Sequence, residues 1–365
     1  MHPDAHYVMT AAIELGLDTF GDIMRGADGK LVTHAQAIRN VIDEAVLADD
    51  VGADFIGVGE HHRADFSISA PEVVLAAIAG RTRRIRLGSA VTVLSSDDPV
   101  RVFERFATLD AASNGRAEVI LGRGSFTESF PLFGYPLSQY EVLFEEKIDL
   151  FATLLHYDRT GEPVSWTGST RPALDNTRVF PTTERGLRVW VGVGGSPESV
   201  VRAARYGFPL TLAIIGGDPR RFKPYVTLFK QALSQIGAPE LPVGVHSPGH
   251  VADSDERARE EMWPAFKQMH DRIGAERGWP PMTRAQFDHE VERGSLYVGS
   301  PETVARKIAE TARALEVSRF DLKYSAGPLS HDQMMRSIEL YGRSVIPRVR
   351  ELLGARATQP ASASA

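Results

Sequence analysis

The chain contains no cysteine, which excludes disulfides, thiolate metal sites and cysteine nucleophiles together. It also has no block of basic residues. Its 41 Lys and Arg are outnumbered by 47 Asp and Glu, for a formal charge of −6. Nucleic-acid binders carry a Lys/Arg stripe that neutralises phosphates, so nucleic acid is not expected as a partner. Nowhere does an apolar run reach the roughly 18 residues of a membrane span. Residues 1–10 lack the basic start and apolar run of a secretory signal, so the expected location is the cytoplasm, with no membrane partner.

What is present is ordinary globular material, with 43% apolar and 24% charged residues. A length of 365 residues exceeds the roughly 250 to 300 of a usual single core, but not that of one barrel with insertions. Short β-rich runs alternate with longer amphipathic segments, the order of βαβ units around a parallel sheet. Eight strands are expected, at 13–19, 54–59, 85–94, 117–121, 188–193, 210–215, 242–246 and 319–324. Most are nearly continuous in Val, Ile and Leu, as in a parallel sheet covered on both faces. Thr33 with Gln36 forms a capping box, and Asp98-Pro99, Ser196-Pro197 and Ser300-Pro301 each place a capping side chain before a first-turn proline.

These features predict an α/β chain folded as one (β/α)8 TIM barrel over residues 1–355. Residues 356–365, rich in Ala and Ser, are expected to form a disordered tail. The stretches 156–185 and 274–298 are too long for simple connections and show little helical period in the second case. Both are expected as insertions at the C-terminal face of the strands. The near-repeat Gly195-Ser196-Pro197-Glu198-Ser199-Val200 and Gly299-Ser300-Pro301-Glu302-Thr303-Val304 makes two good helix starts without requiring duplication.

In such a barrel the reacting groups follow the strands. Glu60-His61-His62 follows the second. Adjacent side chains of an extended backbone point to opposite faces, so the two histidines do not easily grip one ion, and no metal is expected. Either one histidine is inward and one outward with both merely hydrogen-bonded, or at least one contacts a ligand. After the fifth strand, Gly194-Gly195-Ser196-Pro197 lets a ligand approach the backbone and presents free N–H groups at a helix start. Arg123, one strand away, could clamp the same anion. Each feature alone is also compatible with a turn or a surface ion pair. Together they point to a phosphate-bearing cofactor.

At these residues the chain resembles the bacterial luciferase-like flavin monooxygenases, from about Glu14 to Arg350. The resemblance rests on Glu14-Leu15-Gly16-Leu17, Gly59-Glu60-His61-His62, Gly88-Ser89-Ala90-Val91, Leu109-Asp110 with Asn114-Gly115-Arg116, Gly122-Arg123-Gly124 and Val298-Gly299-Ser300-Pro301. It implies a (β/α)8 barrel that binds FMN, reduced by a separate flavin reductase, and uses O2 to oxygenate a small organic substrate. Arg123, Gly194, Gly195, Ser196 and Ser199 would hold the phosphate. Glu60, Ala90 and Val91 would lie at the flavin, with a cis peptide between Ala90 and Val91, and His61 would act as acid or base. Phe126, Phe130 and Tyr324 would face the substrate, and a homodimer is expected. Light-emitting members have cysteine where this chain has Gly122 and tryptophan where it has Ile214, which argues against light emission. The alternatives are hydride transfer with a deazaflavin, a non-catalytic flavin-binding barrel, or a flavin-free barrel hydrolase or aldolase, for which no nucleophile or metal set is evident.

Overall fold

A computed structural model describes residues 12–26 and 28–354. Among the described residues eleven strands occur in chain order: β1 (Glu14–Thr19), β2 (Phe55–Val58), β3 (Arg86–Val93), β4 (Ala117–Gly122), β5 (Val164–Trp166), β6 (Leu174–Thr177), β7 (Arg188–Val193), β8 (Leu210–Ala213), β9 (Val243–Val251), β10 (Tyr297–Gly299) and β11 (Arg319–Lys323). Eight of them close a parallel barrel in the order β1-β2-β3-β4-β7-β8-β9-β11, with β11 returning to β1. Every expected strand is present. The seventh runs longer than expected because its far end leaves the barrel and pairs with β10.

Outward-facing Val, Ile and Leu of the strands pack under the surrounding helices in one continuous core. The inward set is different. On β11, Arg319, Asp321 and Lys323 alternate with Phe320 and Leu322. Arg319 is fully enclosed in the barrel, where its Nε donates to Asp321 Oδ2 at 2.8 Å and its Nη1 to Glu118, while its guanidinium lies 3.8 Å over the Phe55 ring. Burial alone would raise the Glu118 carboxyl, but Arg319, Arg188 and Arg86 outweigh it and hold the group down at about 2. This charged plug, with Phe55, Trp190 and Ile120, closes the barrel from below.

The two long connections differ. In 156–185, the first residues continue the Tyr140–Thr160 helix, and the antiparallel β5–β6 hairpin then folds back along that helix on the outside of the barrel. Trp166 Nε1 donates to Asp149 at 2.8 Å, Ser169 N to Glu146 at 2.9 Å, and Arg171 at the tip pairs with Asp98 at 3.6 Å. Its apolar side chains are satisfied by the helix, so this segment does not cover the cavity as expected. The segment 274–298 also has more helix than expected. It starts in the last turn of the Asp255–Arg277 helix, turns at Gly278 with φ 72°, and enters the Arg284–Arg293 helix through a Thr283/Gln286 capping box. The expected tail, 356–365, lies outside the described residues. Among the described residues no helix is long and apolar enough to cross a membrane.

Candidate functional site

A cavity of about 420 Å³ opens at the carboxyl ends of the barrel strands, within the usual range for a small-molecule site. All eight strands or the residues just after them border it, and the end of the Asp255–Arg277 helix, through Met269, Ile273 and Arg277, covers it with Trp279. The cover is pinned across the mouth by Arg63 to Glu276 (2.8 Å from Nη1) and by Arg272 to Asp65. Phe126 borders the cavity beneath the guanidinium groups of Arg63 and Arg277, which lie 4.8 and 4.7 Å from its centroid.

At one end, β7 runs into Gly194, Gly195 and the N-cap Ser196 of the Pro197–Arg205 helix. Gly195 has φ 117°, and a Cβ at Gly194 would meet nothing within 4 Å, so the backbone is open to a ligand. Gly194 and Ser199 border the cavity. Gly195 and Ser196 stand just behind, with Gly195 O accepting from Tyr225 at 2.8 Å. No group among the described residues takes the backbone N–H of Gly195 or Ser196. Arg123 and Arg202 share Glu141, Arg202 Nη1 lies 3.4 Å from Ser199 Oγ, and the Arg123 guanidinium sits 5.4 Å from the Tyr140 ring. Arg202 was not expected, although its position three residues after Ser199 on a helix places the two on one face.

The second copy of the hexapeptide shows what this start can hold. Ser300 N donates to Asp255 Oδ1 at 2.6 Å and Thr303 Oγ1 to Asp255 Oδ2 at 3.0 Å, so a carboxylate occupies the anion site there. Burial opposes the Asp255 charge, but these donors bring its pKa below the usual aspartate range. In the first copy Glu198 of the same helix accepts from the Ser196 hydroxyl at 2.7 Å, but among the described residues no carboxylate takes the backbone N–H of Gly195 or Ser196, and the neighbouring Gly194 and Ser199 border the cavity. The backbone donors of this start are thus taken by a carboxylate in one copy and left without a partner in the other.

Glu60, His61 and His62 lie just beyond β2, and all three border the cavity. Because the strand ends at Val58, the alternation expected to send His62 away no longer applies. His62 Nε2 is 3.0 Å from Glu60 Oε1, while Glu60 Oε2 accepts from Val93 N at 2.8 Å. Glu60 therefore braces the irregular stretch of β3, where the Ala90–Val91 peptide is cis and both residues border the cavity. His61 lies 3.8 Å from Glu128 and packs against Phe20, Phe66 and Phe126. Burial lowers its pKa despite Glu128, leaving a neutral imidazole at neutral pH.

Two expected substrate residues are elsewhere. Phe130 is fully buried behind the cavity, stacked on Tyr140 at 5.4 Å. Tyr324 follows the outward phase of β11, and its hydroxyl donates to Glu44 on the His34–Asp50 helix at 2.7 Å. The inward phase instead brings Asp321 and Lys323 to the cavity floor, beside Asp18, Thr211 and His246. Asp18 Oδ1 and Thr211 Oγ1 are buried there without a protein partner. An open helix start with two arginines at one end, an apolar middle and orphaned polar atoms on the floor fit a planar cofactor that carries a phosphate.

The family model for luciferase-like monooxygenases matches residues 20–318. The chain belongs to the luciferase-like monooxygenase family. Among the relatives of this family member, 4-hydroxyprotoasukamycin monooxygenase of Streptomyces nodosus subsp. asukaensis is 27% identical over 320 residues, covering 84% of this chain and 85% of the relative. The monooxygenase RslO1 of Streptomyces bottropensis has the same fold, with a TM-score of 0.79 at 23% identity over 92% of this chain and 99% of that one. So does the oxygenating constituent of 3,6-diketocamphane monooxygenase from Pseudomonas putida in complex with FMN, at a TM-score of 0.75, 20% identity and coverage of 93% and 99%. An F420-dependent secondary alcohol dehydrogenase follows at a TM-score of 0.73, 17% identity and coverage of 93% and 99%. At these identities the structural likeness establishes the fold alone. The family and its named monooxygenases make this chain an oxidoreductase.

Proposed function

We propose that this family member is an FMN-dependent monooxygenase. It acts in the cytoplasm as a homodimer, receives reduced FMN from a separate reductase, and uses O2 to oxygenate a small organic substrate. The observation that carries the reading is the helix start at Gly195-Ser196, whose backbone N–H groups have no partner among the described residues where its twin at Gly299-Ser300 holds a carboxylate. Reduced FMN, when bound, supplies the electrons by which O2 reacts with an organic molecule.

The protein's own share follows from its residues. Arg123, Arg202, Ser199 and the N–H groups of Gly194, Gly195 and Ser196 would hold the phosphate. Ala90 and Val91, braced by Glu60, would back the ring. Phe126, Met269, Ile273 and Trp279 would exclude water from it. His61, neutral and in reach of the cavity, would take or return a proton.

A second reading is hydride transfer with a deazaflavin, favoured by the fold shared with the F420-dependent alcohol dehydrogenase. Mixing the chain with a flavin reductase, FMN, NADH or NADPH and a panel of ketones, thioethers and phenols separates the two. Oxygenated product with matching O2 uptake supports the monooxygenase. Product only with reduced deazaflavin, and without O2, replaces it.

A further inference from the structure

The cavity floor holds titratable groups that the proposed function does not use. His246 on β9 has its Nδ1 2.6 Å from Asp18 Oδ2 on β1. Asp18 is almost wholly enclosed, and its other oxygen has no protein partner. Nε2 of His246 is likewise unclaimed among the described residues, and the ring borders the cavity. Beside it, the Thr211 hydroxyl is buried without a partner.

The other charged groups that face His246 are already engaged. Lys323 on β11 gives its three protons to Asp22 at 3.1 Å, Ser325 O and Ser325 Oγ at 3.1 Å. Asp22 also accepts from Ser325 Oγ at 2.6 Å and Gly327 N at 2.8 Å. Asp321 faces the floor but accepts from Arg319 below. Phe20 stacks on the imidazole from above. His246 is therefore the group on the floor with both a carboxylate partner on one nitrogen and a second nitrogen left to donate.

We propose that His246, clamped by Asp18, is the cationic hydrogen-bond donor that recognises the reduced, anionic form of a planar heterocyclic cofactor, with the Thr211 hydroxyl beside it. This rests on the flavin reading above. An oxidised isoalloxazine is neutral, whereas the reduced ring readily loses a proton and spreads negative charge over a ring nitrogen and the neighbouring carbonyl oxygen. A charged donor discriminates between these states because charge-assisted hydrogen bonds are roughly twice as strong as neutral ones. Charge near those ring atoms is one of the means by which a protein tunes a flavin. Burial opposes the imidazolium, but the Asp18 carboxylate outweighs it and raises the pKa of His246, Asp321 adding to this and Lys323 opposing it. No bond is made or broken in this role. An enzyme that receives its flavin reduced and releases it oxidised would gain selectivity for the form it must capture.

The test is anaerobic titration of oxidised and of reduced FMN into wild type, H246Q and D18N, with absorbance spectra of the bound reduced flavin. H246Q should weaken reduced FMN at least about tenfold while changing oxidised FMN less than about threefold, and D18N should shift in the same direction. For the two-electron couple, each tenfold loss lowers the potential of bound FMN by about 30 mV. In wild type at mildly acidic pH the bound reduced flavin should show the anionic spectrum, and in H246Q the neutral one. Equal weakening of both redox states, or a neutral spectrum in wild type, would overturn the proposal. Wild type that binds neither form of FMN would defeat the flavin reading itself, which is a different result.

Discussion

His61 and His246 both pack on the ring of Phe20, the first edge-on at 4.6 Å between centroids and the second stacked at 6.1 Å. Around this one ring the protein drives the pKa values of two imidazoles in opposite directions. Burial lowers that of His61, and Asp18 raises that of His246 against its burial. Pairs of groups whose environments drive their pKa values apart mark a division of acid and base roles.

The first prediction concerns His61. Its pKa is depressed, so it stays unprotonated at neutral pH and gains its proton only below the ordinary histidine value of about 6.5. The acid limb of kcat should therefore fall below about pH 6.5, and it should vanish in His61→Ala. That variant should bind reduced FMN within about an order of magnitude of wild type while product formation falls at least about 10²-fold. His62→Ala should lose less turnover, because His62 acts through Glu60 on the backbone of Val93. Stopped-flow mixing with O2 and product assays across pH would measure both, and normal turnover by His61→Ala would remove the base role.

The anion site yields a second. Arg123→Ala and Arg202→Ala should each weaken FMN about tenfold or more and leave riboflavin, which lacks the phosphate, nearly unchanged. Calorimetry with both ligands reads this directly, and parallel losses would show that neither arginine meets the phosphate. The twin site gives an independent check. Because the Asp255 pKa is lowered, its contribution to stability is present above the ordinary aspartate value of about 3.9 and is lost as pH falls through the depressed one. The stability gap between wild type and Asp255→Asn should close in that acid range.

Gly122 supports a third, on packing. A Cβ there would lie 2.4 Å from Val91 Cγ2, a contact that forces the valine to move. Gly122→Ala should cost about 1 to 3 kcal/mol by overpacking. Adding Val91→Ala should recover part of that loss in a double-mutant cycle of denaturant melts, whereas strictly additive losses would place the strain elsewhere.

The cover supplies the fourth. Arg63→Ala removes the pairing with Glu276, which should release the end of the Asp255–Arg277 helix and speed proteolysis at 278–282. FMN with a substrate should slow that cleavage in wild type. A digestion rate indifferent to both would make the segment a passive surface.

Much of the architecture could be read from residue order, because strand and helix signals are local. The Val, Ile and Leu runs of β3, β4 and β7 and the Ser-Pro and Asp-Pro starts depend on neighbours within a few positions. The helix start after β7 was legible for the same reason: glycines, a cap and a proline form one short continuous signal. Even where a reading failed, some signals were there. The alternation Arg319-Phe320-Asp321-Leu322-Lys323-Tyr324 announces that charged residues share one face and Tyr324 the other. Thr283 with Gln286 likewise announces a helix where a loop was expected.

The sequence by itself determined the barrel, the helix start after β7 and the place of His61, since each follows from propensity, period or capping over a short span. Only the tertiary structure decided which groups meet across it. Asp18 and His246 are 228 residues apart and touch because barrel closure brings β1 and β9 to one floor. Arg202 reaches the glutamates of the Tyr140–Thr160 helix through packing between helices. The hairpin at 164–177 went to the outside because Asp149 and Glu146 satisfy it there. Local pattern fixes where a side chain sits on its own element. The partner that sets its charge is chosen when the elements close on one another, and no short stretch of sequence carries that information.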